Sequence, residues 1–164
     1  MTKVIDCFKA YDVRGRVPEE LNVNIAYRIA RAFAEFVSPK TVVVGFDIRL
    51  TSCELNDAII RGLRDSGVDV VSIGLCGTEE IYFATSHLKV DGGIIVTASH
   101  NPKNYNGMKF VSKNSVPISG DTGLNEIKTI AESNLFKDSP LRGNISSVNL
   151  RDDYVAHLLS YINI

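Results

Sequence analysis

A serine, a histidine and an asparagine-proline pair follow an apolar run in "GGIIVTASHNP" (92–102), and a lysine comes soon after at Lys109. Those residue types fit three readings. Ser99 with His100 as its base would be a hydrolytic pair. Adjacent side chains rarely aim at one another, however, and "VTASHNP" lacks the G-x-S-x-G elbow. A plain turn accounts for Asn101 and Pro102, since Asn-Pro favours turns and serine often caps. Phosphoryl chemistry uses more of the group, because a serine that carries phosphate gains about −1.5 to −2 of charge. That charge calls for cations and donors nearby, here His100, Lys109, Arg14 and Arg49. A lysine beside a transferring oxygen can also give or take a proton.

Positioning these residues requires a frame, and the hydrophobic pattern supplies one. Residues 21–37 place Ile25, Ile29, Ala32, Phe33 and Phe36 on one helical face, and Pro39 follows its end. "TVVVGFD" (41–47) is a continuous apolar strand of the kind covered on both faces. Thr51 and Glu54 match a capping box, and Leu55, Ile59, Ile60 and Leu63 form a stripe that ends before Gly67. A strand at 68–74 and a helix at 77–88, expected to be capped by Thr78, come next. Strands at 91–98 and 107–112 follow, and a further helix starts at about Gly123.

This order predicts an α/β/α sandwich whose mixed, mostly parallel sheet has about four strands, with one antiparallel edge at 91–112. Ligands of such sheets gather outside the carboxyl ends of the strands. Two reactive loops sit there, "DIRLTS" (47–52) and the Ser99 loop, while "KAYDVRGRVPEE" (9–20) is a third polar loop. "KDSPLRGNISS" (137–147) is turn-rich and reads as a boundary. Beyond it, 149–164 reads as a helix with Tyr154, Val155, Leu158, Leu159 and Ile162 apolar.

The bulk numbers exclude several roles. A chain of 164 residues with 45% hydrophobic and 23% charged residues can build an ordinary globular core. A formal charge of −1 argues against a nucleic-acid or membrane-surface partner. Cys7, Cys53 and Cys76 show no CxxC spacing and read as free thiols of a cytoplasmic protein. The start "MTKVIDCFKA" reads as lacking a leader, no apolar run is long enough to span a bilayer, and no GxGxxG or GxxxxGK[ST] string occurs. Asp47, Asp91 and Asp121 are scattered, so no cation site is apparent.

"TASHNP" (97–102), "YNGMK" (105–109), "KAYDVRG" (9–15) and "GFDIR" (45–49) together resemble the α-D-phosphohexomutase family. "GTEEIYFATSHL", "VDGGIIVTASHNP" and "PISGDTGL" are most similar to its bacterial phosphomannomutase branch, which serves GDP-mannose supply. The likeness implies that Ser99 carries the phosphoryl group and that Lys109 acts in acid/base or charge-neutralising work. His100 and Arg14 would lie near the reacting phosphate, and Tyr11, Arg14 and Lys109 would contact the substrate. Asp47, Arg49 and Asn101 would support the serine loop. The implied reaction interconverts mannose 1-phosphate and mannose 6-phosphate through a hexose 1,6-bisphosphate that also serves as activator. Glucose or glucosamine phosphates are the alternative substrates, and a non-catalytic sugar-phosphate-binding module is the alternative role. A Mg²⁺ ion is implied on the phosphate of Ser99, with its other ligands in a further domain. By the same likeness, residues 1–146 form the first domain and 147–164 open a second, and the chain alone should be inactive. The family usually has arginine where this chain has Phe46.

Overall fold

The computed structural model describes residues 4–162. Its elements run β1 (Val13–Arg16), α1 (Val23–Val37), β2 (Thr41–Phe46), α2 (Ser52–Asp65), β3 (Asp69–Leu75), α3 (Thr78–His87), β4 (Gly92–Val96), β5 (Tyr105–Ser112), β6 (Val116–Pro117), α4 (Leu124–Ser133), β7 (Ile145–Ser147) and α5 (Arg151–Leu159). The strands form one mixed sheet in the order β1-β5-β4-β2-β3-β7, with β6 also paired to β5. This is the expected α/β class, and the sheet reaches seven strands because three short ones join the anticipated four. β5 is antiparallel to β4 as expected, but it is not an edge, since β1 and β6 cover its outer side.

Alternation along the strands divides the core in two. Val42, Val44, Ile94, Val96, Met108 and Phe110 face α1, α2 and α4. Val43, Ile95 and Val111 face Ile81 and Ala84 of α3 on the opposite side. Successive strand residues point to opposite faces, so continuous apolar runs such as "VVV" bury both. Phe33 of α1 stacks on Phe110 of β5 with ring centroids 5.8 Å apart, tying the helical layer to the reversed strand. Gly123, at φ 126°, ends the turn before α4, and a Cβ there would fall 2.3 Å from the Phe36 ring.

Two cap assignments change. The α3 cap is Gly77, whose N–H donates to Glu80 Oε2 at 2.6 Å, and Thr78 is the first helical residue. Thr51 precedes α2 without capping it, because its hydroxyl oxygen accepts from Asn106 Nδ2 at 2.9 Å. The expected C-terminal helix is α5, and the last two positions of its expected range lie outside the described residues. It rests on α3 through Phe83, which meets Tyr154 at 5.4 Å and His157 at 4.9 Å. Val155, Leu158 and Leu159 on α5 stay half-exposed. Among the described residues no helix is long and apolar enough to cross a membrane.

The three cysteines are free, with Cys7 and Cys76 buried and Cys53 exposed. Burial pushes both inner thiols up to about 12, so at neutral pH neither supplies thiolate. One thiol is therefore expected to react with a water-soluble disulfide reagent in the native chain and three after denaturation. Rapid native reaction of all three would contradict this packing.

Candidate functional site

The chain leaves β2 for β3 through α2, on one face of the sheet, and leaves β3 for β4 through α3, on the other. β2 pairs with both β3 and β4, so the path reverses at β2 and the carboxyl ends of β2 and β4 flank a topological switch point. Crevices for ligands open at such points. The loops carrying Asp47 and Ser99 start there, side by side, with Asp47 N–H donating to Val96 O at 3.0 Å.

Ser99 is exposed and has left-handed backbone at φ 51°. Its N–H donates to Thr97 Oγ1 at 3.0 Å, while its hydroxyl makes no hydrogen bond among the described residues. Asn101 closes the turn, with Nδ2 donating to Ala98 O at 2.8 Å. Arg49 holds the whole loop. Its Nη2 donates to Ser99 O at 2.8 Å and Asn101 O at 2.6 Å, and its Nη1 to Pro102 O and Tyr105 O at 2.9 Å each. A planar guanidinium can serve four carbonyls at once where an ammonium cannot. Asp47 steadies this clamp, because Oδ1 accepts from Arg49 N–H at 3.0 Å and from Ser52 Oγ at 2.6 Å. Its Oδ2 lies 3.5 Å from Arg49 Nε.

Arg14 and Lys109 come from the other side. Arg14 of β1 pairs with Gly107 of β5, and Lys109 pairs with Ile95 of β4. Both are on the α3 face of the sheet, opposite Val13 and Met108, which enter the α1 side of the core. Gly107 O accepts from Thr97 N–H at 3.0 Å, so these residues stand level with the start of the serine loop. Gly107 is obligatory in this crossing, because a Cβ there would lie 2.0 Å from Val13 O. The two cations share Asp12 Oδ2, which accepts from Arg14 Nε at 2.9 Å, Arg14 Nη2 at 2.8 Å and Lys109 Nζ at 3.2 Å.

The candidate residues therefore form two bonded sets, Asp47–Arg49–Ser99–Asn101 and Arg14–Lys109. They meet along β5, which Arg49 grips at Tyr105. Tyr11 is 76% exposed, and neither it nor His100 makes a side-chain hydrogen bond or ion pair among the described residues. Phe46 packs half-buried against the core beneath β2, leaving an apolar neighbour beside Asp47.

Two residues escaped the sequence reading. Asp12 lies inside "KAYDVRG" and is buried to 3% exposure. Asn106 lies inside "YNGMK" and is fully buried. It donates to Thr51 Oγ1 and Ser52 Oγ and accepts from Gly107 N–H, joining the start of α2 to β5. The available signal was a polar residue set inside a motif the reading had already singled out, Asp12 just before β1 and Asn106 at the start of β5.

Among the described residues no three His, Cys, Asp or Glu side chains cluster as cation ligands. Of the residues named for the expected Mg²⁺, only Ser99 lies here, and the described residues alone do not make up a metal site. A concavity of about 590 Å³ between α3 and α5, lined by Ile73, Glu80, Phe83 and Tyr154 among others, does not include the serine loop, which stands on an open surface.

An α/β/α sandwich thus brings a clamped loop with an exposed serine hydroxyl to its switch point and two paired cations to adjacent strands. The chain belongs to the phosphoglucomutase/phosphomannomutase family: the model of that family's alpha/beta/alpha domain I matches residues 6–138. It is 59% identical over 164 residues to a phosphomannomutase of Escherichia coli (strain K12), covering 99% of this chain and 36% of that one. A Klebsiella pneumoniae phosphomannomutase is 60% identical over 153 residues, covering 92% of this chain and 98% of that relative. The crystal structure of a phosphoglucomutase/phosphomannomutase family protein from Burkholderia thailandensis superposes with a TM-score of 0.86 at 34% identity, over 96% of this chain and 36% of the other. The chain thus spans about a third of the length of most of the curated relatives it matches, here 36%.

Proposed function

We propose that this chain supplies the phosphoserine part of a phosphomannomutase, in which Ser99 exchanges a phosphoryl group with mannose 1-phosphate and mannose 6-phosphate. The observation that carries this reading is the Arg49 clamp, which fixes four carbonyls of the loop while leaving the Ser99 hydroxyl unbonded and exposed. A phosphoryl carrier needs that combination of a rigid loop and a free oxygen.

In the first half-reaction the bond from Ser99 Oγ to phosphorus breaks and a bond from the sugar hydroxyl to phosphorus forms. Lys109 gives the proton that the serine oxygen takes up, and the sugar hydroxyl releases its own to solvent. The bisphosphorylated hexose then presents its other phosphate. In the return half Ser99 attacks that phosphorus, its proton passes to Lys109, and the released sugar oxygen takes a proton from solvent. Arg14 offsets the phosphoryl charge throughout, and His100 and Tyr11, both exposed on flanking loops, meet the substrate in this reading. Mg²⁺ is the family's expected source of further charge neutralisation, and its remaining ligands would come from outside the described residues. The names of the Escherichia coli and Klebsiella pneumoniae relatives support mannose phosphates as substrates. The two-sugar description of the family model supports glucose phosphates as the second reading.

A chimera in which this chain replaces the matched 36% of the Escherichia coli relative tests the proposal. It is expected to convert mannose 1-phosphate with higher kcat/KM than glucose 1-phosphate, whereas the purified 164-residue chain alone turns over neither. A preference for glucose 1-phosphate would move the substrate. Turnover by the isolated chain would contradict the need for further charge-stabilising groups.

A further inference from the structure

Asp12 has a partnership that a simple buried ion pair does not require. Its side chain is 4% exposed, and its single oxygen Oδ2 receives two cations from two strands, whose side chains are 39% exposed for Arg14 and 25% for Lys109. One cation would neutralise the carboxylate. The second leaves the trio with a net positive charge, closed off on the Asp12 side and open on the other. Two like charges drawn this close repel, and the shared carboxylate is what keeps them together. The contact occupies one of the three N–H donors of Lys109 and leaves Arg14 Nη1 free of any bond to Asp12. Donors therefore remain for an anion on the open side.

We infer that Asp12 is a positioning residue for phosphoryl transfer at Ser99. It holds the Lys109 ammonium and the Arg14 guanidinium as one preset pair, so that neither has to be gathered when the phosphoryl group arrives. The inference rests on the reading of Ser99 as phosphoryl carrier. Asp12 itself touches neither the serine loop nor any reacting atom, and its effect runs through the two cations.

The chimera described above separates the two ideas. Asp12→Asn is expected to lower kcat by about 10²-fold, the scale of a misplaced catalytic group, while KM stays within about threefold. In a Lys109→Met background the same substitution is expected to cost several-fold less in kcat than in the parent, because one of the two cations it positions is gone. A raised KM with unchanged kcat, or an equal loss in both backgrounds, overturns the inference, while activity of the unsubstituted chimera still upholds the function. A folded chimera without mutase activity overturns the function and the inference with it. If Asp12→Asn lacks the parent's melting temperature, Asp12→Glu, which keeps the charge and shifts it by one methylene, is read instead. A fall in kcat that shrinks in the Lys109→Met background supports the inference. An unchanged kcat, or a fall that is undiminished there, overturns it.

Discussion

In the chimera, Ser99→Ala is expected to lower mutase turnover by about 10⁴-fold or more, the scale on which removal of a covalent nucleophile acts. The same change should leave stability within about 0.5 kcal/mol, because it removes an exposed hydroxyl that bonds to nothing among the described residues. The contacts that shape the loop pass through the Ser99 backbone, namely N–H to Thr97 Oγ1 and the carbonyl to Arg49, and alanine keeps both. A large activity loss with an unchanged melting temperature is therefore the signature of a carrier. Turnover within tenfold of the parent would assign the phosphoryl group to another residue and reduce the loop to a turn.

Arg49→Met should produce the second large effect by a different route. Hydrogen bonds to a charged group contribute about 1.5–3 kcal/mol each, and this guanidinium makes four to the loop carbonyls. Those carbonyls are on a partly open surface, so water can replace some of the loss, and the cost to global stability should be well below the sum. The cost to geometry should not be softened in the same way. Once the clamp is gone, the Ser99 hydroxyl samples many positions, and kcat is expected to fall by about 10²–10³-fold. Arg49→Lys should fall nearly as far, since an ammonium can reach only part of the fan of acceptors. Amide exchange across residues 99–105 of the 164-residue chain gives an independent readout: it should speed up in both variants while the central strands stay protected. Unchanged exchange would show that the Asn101–Ala98 turn holds the loop without Arg49.

Ser99, Asp47 and Arg49 stood out in the sequence because each sits just past a strongly apolar run, where side-chain chemistry is not needed for folding, and Lys109 because a cation interrupts the apolar run of the next strand. Asp12 did not, because its link to Lys109 spans 97 positions and appears only when β1 closes on β5. β1 itself, "VRGR", is four residues with a central glycine and too short to show alternation. β7 was hidden in the same way, since "ISS" is three exposed residues inside a turn-rich stretch and pairs with β3 by backbone bonds alone. The Thr51–Glu54 pattern failed for a tertiary reason: the threonine hydroxyl that would cap α2 is engaged by Asn106 from a strand of the sheet. Local rules thus gave the class of the fold and its long elements, while the short strands and the buried polar links depended on contacts distant in sequence.

The switch point gives these details a common sense. α2 leads from β2 to β3 on one face of the sheet and α3 leads from β3 to β4 on the other, which leaves a gap at the carboxyl ends of the neighbouring β2 and β4. The clamp from the β2 side and the serine from the β4 side meet in that gap. The cations arrive from β1 and β5, the strands that extend the sheet beyond it.

The most direct test of the central claim is the mass of the peptide spanning residues 90–103, isolated from the active chimera after exposure to hexose 1,6-bisphosphate. The account predicts one phosphate on that peptide, located at Ser99 and lost when mannose phosphate is added in excess. An active enzyme whose Ser99 never carries phosphate would contradict it.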